Sequence, residues 1–459
     1  MKIAFVTFGC RLNRAESLDL EARYRAAGHE IIDLGSVPQP SLSSGTVPKT
    51  SGAVPDLILV RGCSVTAKAQ RDCEKSIAHL RTQFPTAEVR PIGCLPNAGP
   101  VPTIGPVPPE NLGTVPQDKV CLPLQTSRAY LKIQDGCSGR CTFCIVPHFR
   151  GQPVSIPFDE IMVRTKSFLA AGYREIILTG CNLSLYHWSD HNLATLLSAL
   201  AELGTDPVRS GTGPRVLGTD PGISEVLGTD SGISETVPRF LGTGPEVLVG
   251  TVPNVGTVPA RIRIGSLEPG RVCEAVLDVM AQYPNICRFL HLSLQSGSNR
   301  ILKRMNRPYE ITWAERFCSA ARERLGTDLA LGADIITGFP SETEEDFEAT
   351  RAFLERHAFS NLHVFPYSER PGTPAATMDG AIPRAVRLAR ARELTELGHR
   401  QRETFAQTFL GREVEVCVEC GGEHGWTSAY LPCKWKSPAE RRSLVRKRII
   451  AVSGDTLLA

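Results

Sequence analysis

Apolar residues in this chain gather in short runs, and most runs lead into a stretch where apolar positions recur every third or fourth residue. Runs at residues 3–8, 57–60 and 89–92 read as strands, and the spacing over 14–27 and 67–84 reads as helix. Strand followed by helix followed by strand implies a parallel sheet. Farther on, apolar runs end at Ile133, Leu178, Ile264, Leu294, Ile336 and Phe365, with helical spacing between them over 158–171, 274–282 and 344–356. Six such units in a row predict an open version of the α/β barrel, with its chemistry at the C-terminal ends of the strands. Near the end the pattern shortens. Residues 409–416 alternate apolar and polar, and 425–430 and 449–452 suit the strands of a small barrel. The expectation is an α/β chain: an N-terminal open parallel sheet, a central partial (β/α)6 barrel and a small all-β barrel at the C-terminus.

Three stretches interrupt this framework. Residues 35–55, 99–116 and 204–260 are rich in Gly, Pro, Thr and Val, and Gly-Thr-Val-Pro recurs at Gly45, Gly113, Gly250 and Gly256. Pro and Gly supply 18 of the 57 residues in 204–260, the composition of a segment that cannot bury a core. The longest lies between a helix ending near Leu203 and a strand beginning at Arg261. That is the end of a barrel remote from the chemistry. The implied division is 1–125, then 126–383, then 384–459, the last opening with a linker helix.

Charge adds little: the net is +3, with a modest basic excess from residue 384 to 448 of fourteen Lys or Arg against eight acids. No apolar run approaches the length of a membrane span. The first residues open directly into strand-like sequence with no cleavage site after them, which predicts a cytoplasmic protein. Fifteen cysteines in such a protein argue for metal or catalysis rather than disulfides.

Three of them, Cys137, Cys141 and Cys144, follow the run Lys132-Ile133-Gln134-Asp135-Gly136. Spacings of three residues and then two fit one tight loop after a strand, able to hold three corners of an iron–sulfur cube. A [4Fe–4S] cluster normally takes four thiolates, so three leave one iron open for a small molecule. The other readings of the loop are a zinc knuckle, with His148 as its fourth ligand, or three reduced surface thiols. Cys10, Cys63 and Cys94 each follow one of the N-terminal strands. Open parallel sheets bind ligands beyond the carboxyl ends of their strands, so these three can converge although far apart in sequence. They read equally as a second cluster set or as three separate buried thiols.

The cysteine loop resembles that of the radical S-adenosylmethionine enzymes. The segment Thr7-Phe8-Gly9-Cys10-Arg11-Leu12-Asn13 resembles the opening motif of one branch, the radical methylthiotransferases. Gly62-Cys63-Ser64-Val65-Thr66 and Gly93-Cys94 match its second and third auxiliary cysteines, although Arg61 stands where Asn-Thr is usual. Gly180-Cys181-Asn182, His291-Leu292-Ser293-Leu294-Gln295-Ser296-Gly297 and His363-Val364-Phe365-Pro366-Tyr367-Ser368 extend the likeness over nearly all of the chain outside the three interruptions.

The resemblance implies two [4Fe–4S] clusters, a radical one on Cys137, Cys141 and Cys144 and an auxiliary one on Cys10, Cys63 and Cys94. It also implies S-adenosyl-L-methionine, with contacts from Gly180, Asn182, Ser266, Glu268, Gln295 and Ser296. The C-terminal part resembles the RNA-gripping β domain called TRAM, with Lys434, Lys436, Arg441, Arg442 and Arg446 offered to phosphates. Trp426, Tyr430 and Trp435 read either as base-stacking platforms or as barrel core. Cys417, Cys420, His424 and Cys433 imitate a zinc site, but strand alternation puts the first two on opposite faces. The implied reaction adds a methylthio group to C2 of N6-threonylcarbamoyladenosine beside the tRNA anticodon. N6-isopentenyladenosine and a ribosomal-protein aspartate are the alternative substrates. A radical enzyme that only methylates, or an RNA-binding iron–sulfur protein without methylthiolation, are readings of another class. The implied partners are a tRNA anticodon stem-loop and an electron donor such as flavodoxin or ferredoxin, acting on a monomer.

Overall fold

A computed structural model describes residues 1–34, 54–99, 126–204, 260–272 and 274–459. The readings made above for most of 35–55, 99–116 and 204–260 fall outside the described residues.

The N-terminal unit is β1 (Lys2–Thr7), α1 (Arg11–Ala26), β2 (Glu30–Ile32), β3 (Leu57–Gly62), α2 (Ala67–Gln83) and β4 (Glu88–Gly93). Its sheet runs β2-β1-β3-β4, parallel throughout, as the alternation predicts. Because strand side chains alternate, one face carries Ala4, Val6, Ile58 and Val60 onto Cys73, Ile77 and Leu80 of α2. The other carries Ile3, Leu57 and Leu59 onto Leu20 and Tyr24 of α1. Both faces are buried, so both central strands are apolar runs. Helix α1 begins three residues earlier than its apolar spacing indicates, with Cys10 at the N-cap position.

The middle of the chain builds the barrel. Its elements are β5 (Ala129–Lys132), β6 (Gln134–Asp135), α3 (Val146–Arg150), β7 (Val154–Ser155), α4 (Phe158–Ala170), β8 (Glu175–Thr179), β9 (His187–Trp188), β10 (His191–Asn192) and α5 (Leu193–Leu203). They continue with β11 (Arg261–Arg263), β12 (Ser266–Leu267), α6 (Ala275–Gln282), β13 (Phe289–Gln295), α7 (Asn299–Arg304), α8 (Ile311–Leu325), β14 (Ala330–Thr337), α9 (Glu344–Arg356) and β15 (Asn361–Pro366). One parallel sheet runs β11-β8-β5 and another β12-β13-β14-β15. They are two halves of one curved wall. The chain pairs with β8 through residue 263, then turns at Gly265 and pairs with β13. A Cβ at Gly265 would stand 2.7 Å from the Leu178 carbonyl oxygen, so the crossing needs glycine. Leu131, Ile176, Leu178, Ile262, Leu290, Leu292, Leu331, Ala333 and Ile335 point outward into the helical layer. The residues between them face the interior.

The C-terminal unit is α10 (Arg384–Gln407) followed by β16 (Glu413–Val418), β17 (His424–Thr427), β18 (Pro432–Lys434), β19 (Leu444–Arg448), β20 (Ala451–Ser453) and β21 (Thr456–Leu458). The sheet order is β19-β16-β17-β18-β21-β20 around a core that includes Val414, Val416, Leu431, Trp435 and Leu457. The small all-β unit is there, but its strands differ from the sequence reading. Residues 409–411 form a turn, and three strands at 432–434, 444–448 and 456–458 were not foreseen.

This unit closes the N-terminal end of the barrel. Glu175 at the start of β8 is fully buried and pairs with Arg261 and Arg263. The two guanidiniums also donate to the Glu415, Trp426, Thr427 and Ser428 carbonyls. Arg263 lies over the Tyr430 ring and Arg128 over Trp426. Buried charges need such full pairing, since an unpaired one is costly by several kcal/mol. Two of the expected phosphate ligands are committed here. Arg442 lies 4.0 Å over the Tyr173 ring and donates to the Thr126 and Ala171 carbonyls, and Arg441 donates to Ser127. Trp435 is buried, and Trp426 and Tyr430 stack on each other against the barrel floor. Lys434, Lys436 and Arg446 remain exposed.

Candidate functional site

The first cysteine loop begins where β6 ends. Gly136 has φ +65°, and a Cβ there would fall 1.9 Å from the Gln152 carbonyl oxygen, so no other residue starts this loop. The Cys137 amide donates to Gly151 and the Cys144 amide to Cys141, which folds the loop on itself. A Cβ on Gly139 would stand 3.2 Å from the Cys137 sulfur and 3.6 Å from that of Cys141, so these two thiols flank one small space. Burial pushes the Cys144 thiol up to about 12, and its neighbours Cys141 and Cys137 add to the rise.

The second set forms at the carboxyl ends of β1, β3 and β4. Gly9 has φ +96°, and a Cβ on it would lie 2.7 Å from the Cys63 Cβ. Asn13 ties the loop ends by donating to the Phe8 and Gly62 carbonyls at 2.8 and 2.9 Å. Cys63 and Cys94 are buried and Cys10 is exposed at the rim. Burial pushes the Cys63 thiol up to about 11, and Cys10 and Cys94 both raise it further. The three sulfurs therefore share one neighbourhood, as the strand-end argument requires. Buried Cys73 also approaches, its sulfur accepting from the Cys63 amide at 3.4 Å. The helical setting of Cys73 gave no sign of this.

Three thiols on one loop and three at neighbouring strand ends are donor sets of the kind an iron–sulfur group takes. Burial opposes ionisation of Cys63, Cys94, Cys141 and Cys144, so these thiols favour a cationic partner. Tetrahedral zinc at 2.3 Å would hold sulfurs about 3.8 Å apart. Among the described residues, the group of three His, Cys, Asp or Glu with donor atoms all within 4.8 Å of one another is His291, Asp334 and His363, and neither cysteine set is drawn that close. The same holds for Cys417, Cys420, His424 and Cys433; Cys417 and Cys433 are buried and Cys420 is exposed.

The polar residues expected beside the first loop come together in part. Gly180 passes close to Gln134, where a Cβ would meet its carbonyl oxygen at 2.8 Å, and the Asn182 amide donates to Gln134 Oε1. Asn182 Nδ2 donates to Glu268, which pairs with Arg307 at 3.2 Å and Arg271 at 2.9 Å. Arg307 in turn donates to the Cys141 sulfur at 3.0 Å. Ser266 is exposed at the strand end opposite His291. Gln295 adopts φ +72°, a left-handed conformation uncommon for a non-glycine residue. Ser296 does not join them. It is 1% exposed, its hydroxyl is 3.3 Å from that of Thr350 and it accepts from the Ser298 amide.

Other residues were not foreseen. Arg150 and Arg307 each donate to one cysteine sulfur, at 3.1 Å to Cys94 and 3.0 Å to Cys141. Cys181 donates to Asp135 at 3.2 Å. On the barrel's inner face Asp334 accepts from His291 and His363, at 3.1 and 3.3 Å. Burial opposes the Asp334 charge, but the two imidazoles outweigh it and hold the carboxyl well below its usual range. His363 is 48% exposed, so the inner face is open to solvent.

The N-terminal unit spans the gap in the barrel wall. Glu16 of α1 pairs with Lys132 on β5 at 2.7 Å, at one edge. The first amide of α2, on Ala67, donates to Ser368 just past β15, at the other edge. The second cysteine set is thereby carried to the end of the barrel where the first loop sits.

Residues 131–354 match the family model described as the radical SAM superfamily. The chain is 27% identical over 451 residues to the protein named threonylcarbamoyladenosine tRNA methylthiotransferase MtaB of Aquifex aeolicus, covering 91% of this chain and 93% of that one. It is 29% identical to the protein of the same name in Bacillus subtilis, covering 91% and 84%. It is also 27% identical to the tRNA-2-methylthio-N(6)-dimethylallyladenosine synthase of Corynebacterium jeikeium, covering 91% and 76%.

Proposed function

Since this chain carries a radical SAM domain, we propose that it is a tRNA methylthiotransferase acting at C2 of N6-threonylcarbamoyladenosine beside the anticodon. The observation that carries the reaction class is the pair of three-cysteine sets, each at the carboxyl ends of a parallel sheet and brought together across the barrel gap. The MtaB relatives, which match over nine tenths of the chain, support this substrate.

In this reading Cys137, Cys141 and Cys144 hold the radical cluster, and Cys10, Cys63 and Cys94 the auxiliary one. When bound, these groups and S-adenosylmethionine supply the one-electron, sulfur and methyl chemistry that no side-chain acid or base can bring to an adenine carbon. The protein's own residues orient. Asn182, Glu268 and Arg307 form a fixed polar row leading to Cys141 and offer paired charges to the amino and carboxylate groups of a methionine moiety. Gly180 leaves room for backbone approach. Asp334 fixes both imidazoles on the inner wall, so that His291 and His363 face the nucleoside with set orientation. The exposed Lys434, Lys436 and Arg446 of the C-terminal unit contact tRNA phosphates, and a small electron-transfer protein reduces the radical cluster.

The likeness to the dimethylallyladenosine enzyme supports a second reading with the same chemistry on N6-isopentenyladenosine. Nucleoside mass spectrometry of tRNA from a deletion strain separates the two. Loss of the 2-methylthio form of threonylcarbamoyladenosine supports the first, loss of the isopentenyl form supports the second, and an unchanged profile refutes both.

A further inference from the structure

Arg150 ends the short helix after the first cysteine loop, and all five of its N–H donors are used. Nε donates to the Cys94 sulfur at 3.1 Å. Nη1 donates to Glu16 at 2.8 Å and to Asp135 at 3.0 Å. Nη2 donates to Asn13 at 2.9 Å and to Glu16 at 3.0 Å. A guanidinium offers five donors in a rigid plane, so these four residues are fixed relative to one another in direction as well as distance. They come from different places. Cys94 belongs to the second cysteine set, Asn13 and Glu16 to the helix that begins beside Cys10, and Asp135 to the strand that leads into Cys137. Asp135 also accepts from the Gly136 amide at 2.8 Å, directly before Cys137. The side chain is 9% exposed, which shields these bonds from competition with water.

We propose that Arg150 is the positioning residue that couples the two cysteine sets, locking the Cys94 sulfur to the barrel loop and setting the reduction potential of the group held by Cys10, Cys63 and Cys94. This rests on the two-cluster reading. An N–H donor and a positive charge on a thiolate favour the more negative, reduced state of an iron–sulfur group, so they raise its potential. Lysine at 150 restores the charge without the five-donor fork. It should hold the potential partly and the geometry poorly.

The test uses the full chain with Cys137, Cys141 and Cys144 changed to Ala, so that one cluster remains. In that background Arg150→Gln should keep about four irons and lower the midpoint potential measured by electron paramagnetic resonance, and Arg150→Lys should return it part of the way. In the otherwise unchanged chain, Arg150→Gln should reduce methylthiolation at least tenfold. An unchanged potential in a Gln or Lys variant with its full iron overturns the proposal alone. A triple-Ala parent that binds no iron overturns the two-cluster reading and the proposal with it.

Discussion

Arg307 holds its Nη1 3.0 Å from the sulfur of Cys141 while the same nitrogen pairs with Glu268. One guanidinium therefore joins the loop that would hold the radical cluster to the polar row that would hold the methionine moiety. Outer-shell partners of metal ligands typically matter by 10- to 100-fold. Arg307→Gln is expected to slow reductive cleavage of S-adenosylmethionine by about that factor with the iron content unchanged. Cleavage at the parental rate would show that the row is structural only.

Iron content checks both cysteine sets at once. Anaerobically reconstituted protein should carry about eight irons, and changing Cys137, Cys141 and Cys144 to Ala should leave about four. One iron per chain, or zinc in its place, would contradict the cluster assignment.

The two sets should also separate by role. Cys94→Ala is expected to abolish methylthiolation yet still permit cleavage of S-adenosylmethionine, because the first loop is untouched. Lost cleavage with an intact radical-cluster spectrum would reverse the assignment.

Acid stability reports the junction between the units. Burial raises the Glu16 carboxyl, but Arg150, Lys132 and Arg61 outweigh it and hold it down to about 2 from 4.5. A carboxyl lowered on folding stabilises the fold above its unfolded pKa, and that stabilisation drains as pH falls through the folded value. The window here runs from about 4.5 down to about 2. The linkage amounts to at most about 3 kcal/mol at neutral pH. Denaturant midpoints of Glu16→Gln and the parent should differ most near pH 7, with the gap shrinking by about half or more by pH 3. A gap independent of pH would mean that Glu16 stays charged in both states or pairs with nothing.

The long interruption can be tested by excision. The Ala260 amide donates to the Gly204 carbonyl at 3.2 Å, so the chain leaves and returns at one point. Lengthening a surface loop opposes folding by only about 0.6 kcal/mol per doubling. Replacing residues 205–259 by a short Gly-Ser link should preserve folding, cluster content and activity. Normal clusters with no tRNA modification in that variant would make the stretch a functional element.

Strand–helix alternation made the parallel sheets legible, because residues buried on both faces leave continuous apolar runs such as Leu57–Val60. The cysteine loop was legible because its three thiols are local in sequence. The C-terminal strands were not. Leu444–Arg448 is rich in charge and forms the edge strand next to β16, so its only signal is that pairing. Arg442 read as a phosphate ligand because nothing near it in sequence announces Tyr173, 269 residues away. Arg150 and Arg307 were missed for the same reason. Their partners are contributed by other elements, and an arginine alone carries no pattern.

The floor of the barrel ties its folding to residues made much later. Arg261 and Arg263 donate to the carbonyls of Glu415, Trp426, Thr427 and Ser428, which leave the ribosome long after β11 does. Until then Glu175 is the acceptor the two guanidiniums have, and their remaining donors wait for these carbonyls. Ribosome-bound chains stalled before residue 415 are expected to stay protease-sensitive in the barrel, and early resistance would disprove the dependence. Closure of the barrel floor thus waits on residues 415–428, more than 150 positions after the strand they close.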